Sequence, residues 1–310
     1  MRILLVVNKT LTRISNDGNL KGLTLPKGLL DSAFYNVYVP LLELGHTVYF
    51  YDTINPVVKD FDEVYNKFKP DLVFCCVTGN NTVTPYEPLE KIKKITNSGN
   101  CITFNWFCDD KWRFDNFSKQ ICNYFYACST PEPSCIKKYK DINYNNILLG
   151  AWHVSNNLYS KHTGYNYDIS FIGGMTNCRA DFLNSLNIPI TYKTGLAYED
   201  MFNLFATSKI NLNLSINDND PNKQPQMKLR VFEVVSTNGF LLTQHIPDLE
   251  QFFELEKEII TFKTVEEAKD KINFYLRNDT ARSKVARAGY LRYIKEHTSK
   301  NRLNKLISNI

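Results

Sequence analysis

The stretch Lys228-Leu-Arg-Val-Phe-Glu-Val-Val-Ser-Thr-Asn-Gly-Phe-Leu-Leu-Thr-Gln244 joins a short apolar helix directly to an apolar strand. Gly239 is expected to end the helix, because glycine adopts the left-handed conformation without strain. The helix carries one acid, Glu233, close to Lys228 and Arg230. Such a junction is typical of an α/β sheet, and its carboxylate and cations suit the ribose diol and the diphosphate of a nucleotide.

Length and composition predict a folded protein of two domains. The chain has 310 residues, 43% of them hydrophobic and 22% charged, with a net charge of +5. A single hydrophobic core rarely serves more than about 250–300 residues. The sequence contains no run of 18 apolar residues, so no membrane-spanning helix is predicted. The apolar start, residues 3–7, indicates a buried strand rather than a signal peptide, since its apolar run is short and no cleavage site follows.

The eight cysteines favour a reducing compartment. Seven of them lie in the first half, mostly inside apolar segments, and there is no C-x-x-C pair and no pair of histidines at ligand spacing. Such a pattern is not typical of a zinc site or a secreted disulfide framework. We therefore expect reduced thiols, no metal site and no cofactor, in a cytoplasmic protein.

Short apolar runs alternate with amphipathic stretches through the first half of the chain. Strands are predicted at residues 3–7, 47–51, 71–77, 101–106, 124–127 and 147–149, and helices at 31–44, 57–68 and 87–97. This alternation predicts a parallel sheet with right-handed crossovers. The long loop after the first strand, which contains Gly18, Gly22, Pro26 and Gly28, suits either a functional loop or a disordered one.

The alternation restarts in the second half, after a polar stretch at residues 154–167 that we interpret as a linker. Strands are predicted at 168–172, 190–192, 210–214, 240–243 and 258–262, and Thr264 opens a helix through a capping box with Glu267. The predicted domains are 1–155 and 165–310, with the last helix packing back on the first domain. Two such Rossmann-like domains would face each other across a cleft.

Four segments of the second half resemble the CgeB-like glycosyltransferases. They are Arg230-Val-Phe-Glu-Val-Val-Ser-Thr-Asn-Gly-Phe-Leu-Leu-Thr243, Tyr167-Asp-Ile-Ser-Phe-Ile-Gly-Gly174, Ser208-Lys-Ile-Asn-Leu-Asn213, and Asp279-Thr-Ala-Arg-Ser-Lys-Val-Ala-Arg-Ala-Gly289 with Glu296-His-Thr298. The first half is similar to the family chiefly at Trp106-Phe-Cys-Asp-Asp110. The resemblance implies a GT-B fold that binds a nucleotide-sugar donor on its C-terminal domain.

The sequence departs from the wider retaining GT-B group at one position. Members of that group carry two glutamates eight positions apart; Glu233 matches the second, which binds the donor ribose, but Pro225 stands in place of the first. The resemblance therefore leaves open whether the transfer retains or inverts the sugar's configuration. A salt bridge from Glu233 to Arg230 or Lys228 is the alternative reason for an acid in an otherwise apolar helix.

The predicted donor site collects residues from several segments. Gly173 and Gly174 follow a strand and precede a helix, where backbone N–H groups can approach a phosphate, and Arg179 adds a cation that can instead cap the surface. The full predicted donor-binding set is Glu233, Arg230, Lys228, Gly173, Gly174, Arg179, Asn213 and Gly239. The carboxylate of Glu233, which is predicted to bind the ribose, is expected to be accessible.

Asp109 and Asp110 are the predicted catalytic or acceptor-binding residues. They follow the fourth strand and are flanked by Trp106, Trp112 and Phe114, which suits a sugar because rings stack on its face while a carboxylate takes a hydroxyl proton. The alternative is that one of the two acids caps a helix.

The C-terminal segment is basic, with eight cations between Arg282 and Lys305 against the single acid Glu296. A solvated helical face is one reading, and attraction to a lipid-linked acceptor or a membrane surface is the other. We expect a nucleotide-sugar donor, an unidentified glycan, protein or lipid-linked acceptor, and no nucleic-acid partner. The alternative functions are an epimerase or hydrolase of nucleotide-sugars, and a non-catalytic surface protein with a degenerate sugar site.

Overall fold

The computed structural model describes residues 1–8, 32–156, 164–216, 220 and 222–310. The chain divides into two compact units. The N-terminal unit comprises Met1–Ala151 and Ser299–Ile310, and the C-terminal unit comprises Trp152–Thr298. The division therefore falls just before the predicted linker at residues 154–167. The loop that contains Gly18, Gly22, Pro26 and Gly28 lies outside the described residues.

The N-terminal unit is built on a parallel sheet of six strands in the order β2-β1-β3-β4-β5-β6. These strands are β1 Arg2–Val7, β2 Thr47–Asp52, β3 Leu72–Cys76, β4 Ile102–Trp106, β5 Ala127–Thr130 and β6 Ile147–Leu149. Strands β1 and β3 are adjacent, with Ile3 opposite Leu72. Both read as continuous apolar runs because a parallel sheet is covered on both faces.

The helices of the N-terminal unit are short and several are irregular. They are α1 Val39–Glu43, α2 Phe61–Phe68, α3 Leu89–Ser98, α4 Asp110–Arg113, α5 Lys119–Ile121 and α6 Cys135–Asp141. Phe34–Tyr38 and Phe114–Ser118 are π-helical, and Cys122–Tyr124 is a 3-10 turn. This turn ends at Tyr124, where the fifth strand was predicted to begin, and β5 begins later, at Ala127.

The C-terminal unit carries a parallel sheet of five strands in the order β11-β10-β9-β7-β8. The strands are β7 Tyr167–Ile172, β8 Thr191–Lys193, β9 Ser208–Asn213, β10 Leu241–Gln244 and β11 Ile260–Phe262. The helices are α7 Asn177–Leu186, α8 Tyr198–Ala206, α9 Leu229–Ser236, α10 Val265–Arg277 and α11 Asp279–Arg292. The π-helical segment Tyr293–His297 follows α11.

The capping box predicted for α10 is confirmed. The Thr264 hydroxyl accepts a hydrogen bond from the Glu267 N–H at 3.2 Å, and the Glu267 carboxylate accepts one from the Lys263 N–H at 2.8 Å. The box satisfies backbone donors that have no partner within the helix. It fixes the start of α10, which packs against α7 and α11.

The last helix, α12 Ser299–Ile307, belongs to the N-terminal unit, where it packs against α1. Leu303 and Leu306 on α12 are buried, and Lys300 forms an ion pair with Glu43 at 3.0 Å. The chain thus returns to the N-terminal unit after completing the second sheet. None of the helices formed by the described residues is both long and apolar enough to cross a membrane.

Candidate functional site

The strand order of the C-terminal sheet places a topological switch point between β7 and β9. These two strands are neighbours, with Ser170 opposite Asn211, and the chain leaves β7 toward β8 on one side and β9 toward β10 on the other. Ligands of open parallel sheets bind at the carboxyl ends of the strands at such a point. Both α7 and α9, which follow β7 and β9, therefore begin at this edge.

The N-termini of α7 and α9 each carry a cation. Arg179 lies in the first turn of α7, and Lys228 is the N-cap residue of α9. Neither Thr176, the N-cap residue of α7, nor Lys228 supplies a side-chain capping hydrogen bond. The first backbone N–H groups of a helix have no partner within it and carry the positive end of the helix dipole. This edge of the sheet therefore favours anions.

Arg179 ties together the segments that follow β7 and β9. Its guanidinium donates to the Gly174 carbonyl at 2.7 Å and to the Leu214 and Ile216 carbonyls at 3.4 and 3.5 Å. These hydrogen bonds hold the guanidinium at the switch point. The predicted contact of Arg179 with a diphosphate stays a prediction.

The two glycines after β7 differ in what they offer a ligand. The Gly173 N–H donates to the Lys193 carbonyl at 3.1 Å, extending the β7–β8 ladder, so the predicted Gly173 contact to a phosphate is not available in this structure. Gly174 is exposed, and a Cβ there would meet no atom within 4 Å. Gly174 is the glycine of the pair with open space around it.

Glu233 is buried rather than accessible, contrary to the prediction. Only 4% of the residue is exposed. Its carboxylate accepts a hydrogen bond from the Tyr198 hydroxyl at 2.9 Å on Oε1 and forms an ion pair with Arg230 at 2.8 Å on Oε2. The salt bridge to Arg230, which the sequence left open as the alternative, is therefore present. Both carboxylate oxygens of Glu233 are therefore engaged by protein donors.

Arg230 is directed into the same cluster. Its Nη1 lies 2.6 Å from the Met201 sulfur, and its guanidinium lies 4.9 Å from the centre of the Phe205 ring. With 21% of its side chain exposed, Arg230 neutralises Glu233 inside the protein. In this arrangement Arg230 is held by Glu233 and does not offer the predicted contact to a diphosphate. Of the predicted donor-binding cations, Lys228 and Arg179 remain at the N-termini of α9 and α7.

Asn213 joins the ends of two strands instead of facing a ligand. Its amide donates to the Thr243 hydroxyl at 2.8 Å and to the Ser215 hydroxyl at 3.2 Å. The residue is 4% exposed. The predicted donor contact of Asn213 is replaced by a hydrogen-bonded crosslink between β9 and β10 that fixes the sheet edge.

Gly239 is needed for space, not for a left-handed conformation, so the prediction about the end of α9 is corrected. Asn238 takes the left-handed conformation, with φ of 56°. A Cβ on Gly239 would lie 2.9 Å from the Thr237 hydroxyl oxygen and 3.1 Å from both the Asn211 amide nitrogen and the Val234 carbonyl oxygen. Gly239 therefore permits the close approach of α9 to β9.

Asp110 is part of the interior of the N-terminal unit and does not reach a substrate. It is fully buried, and its carboxylate accepts hydrogen bonds from the Ser118 hydroxyl at 2.5 Å and the Tyr139 hydroxyl at 2.7 Å. Burial raises the pKa of Asp110 above its ordinary value, although the hydroxyl donors oppose the shift. The expected catalytic role of Asp110 is therefore replaced by a structural one.

Asp109 instead lines a cavity at the carboxyl edge of the N-terminal sheet. The cavity has a volume of about 190 Å³. It lies beyond the ends of β1, β3 and β4, and β1 and β3 form the switch point of this sheet. Asp109 is the N-cap residue of α4, but its side chain makes no capping hydrogen bond. The cavity is lined by Asn8, Cys76, Val77, Thr78, Phe107, Cys108, Asp109, Arg113, Phe117 and Ser118.

The aromatic residues expected to stack on a sugar are mostly internal. Trp106 and Phe114 are buried, and the Trp106 indole donates to the Gly150 carbonyl at 3.0 Å. Phe107 and Phe117 line the cavity with Asp109, and the Arg113 guanidinium lies 4.2 Å from the centre of the Phe117 ring. The predicted rings Trp106, Trp112 and Phe114 are not among the residues that line this cavity.

Tyr198 is the residue of the site that the sequence did not indicate. It begins α8, a helix that was not predicted from the sequence although Met201 and Phe205 follow Tyr198 at helical spacing. It meets Glu233 across the packing of α8 on α9. Nothing in the local sequence links two positions so far apart. Its pairing follows from the crossover that places α8 beside α9.

The basic C-terminal segment is not one charged face. Arg282 is buried, where it donates to the Tyr275 carbonyl at 2.6 Å and pairs with Asp279. Arg292 pairs with Glu258 and Glu296. The remaining cations lie on α11 and the π-helical segment of the C-terminal unit and on α12 of the N-terminal unit. The basic segment is therefore divided between the two units.

Three solved structures illustrate the similarity of the fold. A glycosyltransferase from Rickettsia africae has a TM-score of 0.64 at 12% identity, covering 99% of this chain and 97% of that chain. A sucrose-phosphate synthase from Thermosynechococcus elongatus has a TM-score of 0.65 at 9% identity, covering 99% and 98%. The HepE protein of Anabaena, in complex with UDP, has a TM-score of 0.63 at 8% identity and is covered completely, as is this chain.

The sequence itself matches a protein family in its second half. Residues 157–308 match a family model described as "Glycosyl transferase-like". Among curated proteins, none matches the sequence significantly. The two parallel sheets match those of solved GT-B glycosyltransferases along the whole chain. The chain therefore has the GT-B fold, and its residues 157–308 carry the sequence pattern of the glycosyltransferase-like family.

Proposed function

We propose that this protein is a glycosyltransferase of the CgeB-like type that uses a nucleoside-diphosphate sugar, with the donor bound by the C-terminal unit. One observation carries the proposal. The neighbouring strands β7 and β9 are followed by helices whose N-termini begin at the same sheet edge, and each N-terminus carries a cation, Arg179 or Lys228. Two helix N-termini and two cations at a switch point are suited to a diphosphate.

The same groups account for the chemistry of transfer. When the bond between the sugar and the diphosphate breaks, negative charge develops on the departing phosphate oxygen. Fixed cations and helix N-termini stabilise that charge without having to reorganise. We propose that Arg179, Lys228 and the first-turn N–H groups of α7 and α9 have this role without a metal ion, so that a chelator leaves transfer unchanged.

Glu233 is proposed to bind the donor ribose by exchanging one partner. A carboxylate has about four acceptor positions, and the structure shows two donors, Tyr198 and Arg230. A ribose hydroxyl can replace the Tyr198 hydroxyl on Oε1 while the ion pair on Oε2 remains. Donor binding would then be coupled to a movement at the start of α8.

The acceptor is proposed to enter the cavity beside Asp109 in the N-terminal unit. Asp109 is partly exposed and lines this cavity, which gives its carboxylate the position needed to take a proton from an acceptor hydroxyl. The neighbouring Arg113 and Phe117 would orient the acceptor. The eight free cysteines support the proposal that the reaction takes place in the cytoplasm.

The nature of the donor is suggested by structural neighbours. The Anabaena HepE protein has been solved with UDP-glucose, and an alpha-glucosyltransferase of the same fold has been solved with UDP and DNA. Their folds match this chain with TM-scores of 0.63 and 0.64. We therefore propose a uridine nucleotide as the first donor to test, together with GDP, dTDP and CDP.

Calorimetric titration of the full chain with these four nucleoside diphosphates tests the proposal. At least one should bind, and Lys228→Ala should weaken it about 10- to 100-fold, the loss typical of one charge-assisted contact. Lys284→Ala, which removes an exposed lysine of α11, is the matched control and should leave affinity unchanged. Equal affinity in both variants, or no binding of any nucleoside diphosphate, would refute the donor site.

A further inference from the structure

Two cysteines of the N-terminal unit lie in contact at the edge of the sheet. Cys76 ends β3, and Cys108 follows β4 by two residues. Their sulfur atoms are 3.3 Å apart. Strands β3 and β4 are adjacent and in register, with Cys75 opposite Asn105. Their pairing brings the end of β3, where Cys76 lies, close to the segment after β4 that contains Cys108.

This pair differs from the other cysteines of the same unit in its exposure. Cys76 and Cys108 are partly exposed and line the cavity of about 190 Å³ that also contains Asp109. The remaining cysteines of the unit are buried, namely Cys75, Cys101, Cys122, Cys128 and Cys135. Both residues of the pair therefore line one cavity.

We propose that Cys76 and Cys108 form an oxidation site at which hydrogen peroxide produces an intramolecular disulfide. The Cys76 sulfur attacks one peroxide oxygen, which breaks the O–O bond, forms a sulfenic acid and releases water. The Cys108 sulfur then attacks the Cys76 sulfur, and the sulfenic hydroxyl leaves as a second water with the Cys108 proton. The two thiols lose two hydrogen atoms in total, and one peroxide is reduced to two waters.

Either thiol can donate in the contact between the two sulfur atoms. The hydrogen bond with Cys76, and burial after it, raise the pKa of the Cys108 thiol well above its ordinary value. The same two steps with the two cysteines exchanged give the same disulfide.

The geometry requires only a small movement. A disulfide bond is about 2.05 Å long, so the two sulfur atoms must approach each other by roughly 1.3 Å from the observed 3.3 Å. Rotation of the two side chains can supply this because both project into the cavity. The bond would join the ends of β3 and β4 and alter the wall of the cavity next to Asp109.

The test uses the full chain, reduced and then treated with a small excess of peroxide. After denaturation, free thiols are alkylated, and peptides are analysed by mass spectrometry without reduction. We expect the peptide that contains Cys76 to be linked to the one that contains Cys108, with a combined mass lower by two hydrogen atoms. Dithiothreitol should restore alkylation at both positions.

Variants separate this pair from its neighbours. Cys76→Ser should abolish the crosslink, whereas Cys75→Ala should leave it intact. Because Cys75 and Cys76 fall in the same peptide, this comparison shows which of the two is bonded to Cys108. Cys178→Ser in the C-terminal unit is the control for general reactivity. The proposal is overturned if oxidised wild-type protein remains alkylated at both Cys76 and Cys108. It is overturned equally by sulfinic acid at Cys76 beside an unmodified Cys108, or by a crosslink between other cysteines.

Discussion

At the scale of single residues, the pairing of Tyr198 with Glu233 decides how the donor site works. The Tyr198 hydroxyl occupies the carboxylate oxygen that a ribose would need. If the two compete, Tyr198→Phe should strengthen binding of the preferred nucleoside diphosphate several-fold, because one hydrogen bond contributes about 1 kcal/mol. Calorimetry measures the change, and Tyr126→Phe, at an exposed tyrosine of the other unit, is the control. Weaker binding would show instead that Tyr198 positions the carboxylate.

Two glycines give a second comparison between residues. Gly239→Ala places a Cβ 2.9 Å from the Thr237 hydroxyl oxygen, and we expect a loss of about 1–3 kcal/mol in the free energy of unfolding from overpacking. Gly174→Ala, at a position with open space, should cost well under 1 kcal/mol. Urea denaturation compares the two variants, and equal stability would contradict the assigned role of Gly239.

The residue scale is where prediction from sequence was least complete. The sequence indicated the adjacent acids Asp109 and Asp110 but not that one is internal and the other lines a cavity, because neighbouring side chains at a helix start point in different directions. The sequence left two explanations for Glu233, ribose binding and a salt bridge. The structure contains the salt bridge, which Glu233 forms with Arg230. The partner Tyr198 comes from a different helix, so its contact depends on packing that no local pattern records.

At the scale of elements, Asp110 anchors the irregular helical segment that follows β4. Its carboxylate holds Ser118 and Tyr139, which lie on separate elements. Because burial raises its pKa, the folded state binds a proton at Asp110 more readily than the unfolded state does. The stabilisation from this group is complete below the unfolded carboxyl pKa and is lost as pH rises through the folded value.

The replacement Asp110→Asn removes this titration. The free energy of unfolding of wild type minus that of the variant should therefore fall as pH rises above about 4, the ordinary carboxyl pKa. Urea denaturation at a series of pH values measures it. Tyr139→Phe keeps the Asp110 carboxylate, so the free energy of unfolding of this variant should still contain the pH dependence that comes from Asp110. If the free energy of unfolding of wild type minus that of Asp110→Asn instead grows with pH, the hydroxyl donors outweigh burial in their effect on the pKa of Asp110.

Elements were predicted well where the pattern is strong. Strands β1, β3, β7 and β9 could be located from their apolar runs, because strands of a parallel sheet are buried on both faces. Thr264 marked the start of α10 through its cap. The π-helical and 3-10 turns between β4 and β5 have no regular spacing of apolar residues, which is why the fifth strand was placed too early.

At the scale of the whole molecule, the last helix, α12, belongs to the N-terminal unit. Deletion of residues 299–310 removes Leu303 and Leu306, both buried, and should destabilise the N-terminal unit by on the order of 3–5 kcal/mol. Faster hydrogen exchange in residues 34–44, which α12 covers, measures this. Lys300→Ala, which breaks only the partly exposed pair with Glu43, should cost less than about 1 kcal/mol. Unchanged exchange after the deletion would contradict the packing.

The most direct test of the donor site is peptide-resolved hydrogen exchange of the full chain, with and without a saturating nucleoside diphosphate. Slower exchange is expected in residues 173–180 and 226–233, the two segments that begin α7 and α9, with the remaining C-terminal sheet little changed. Saturation by the nucleotide without protection in either segment would contradict the placement of the diphosphate at the β7–β9 switch point.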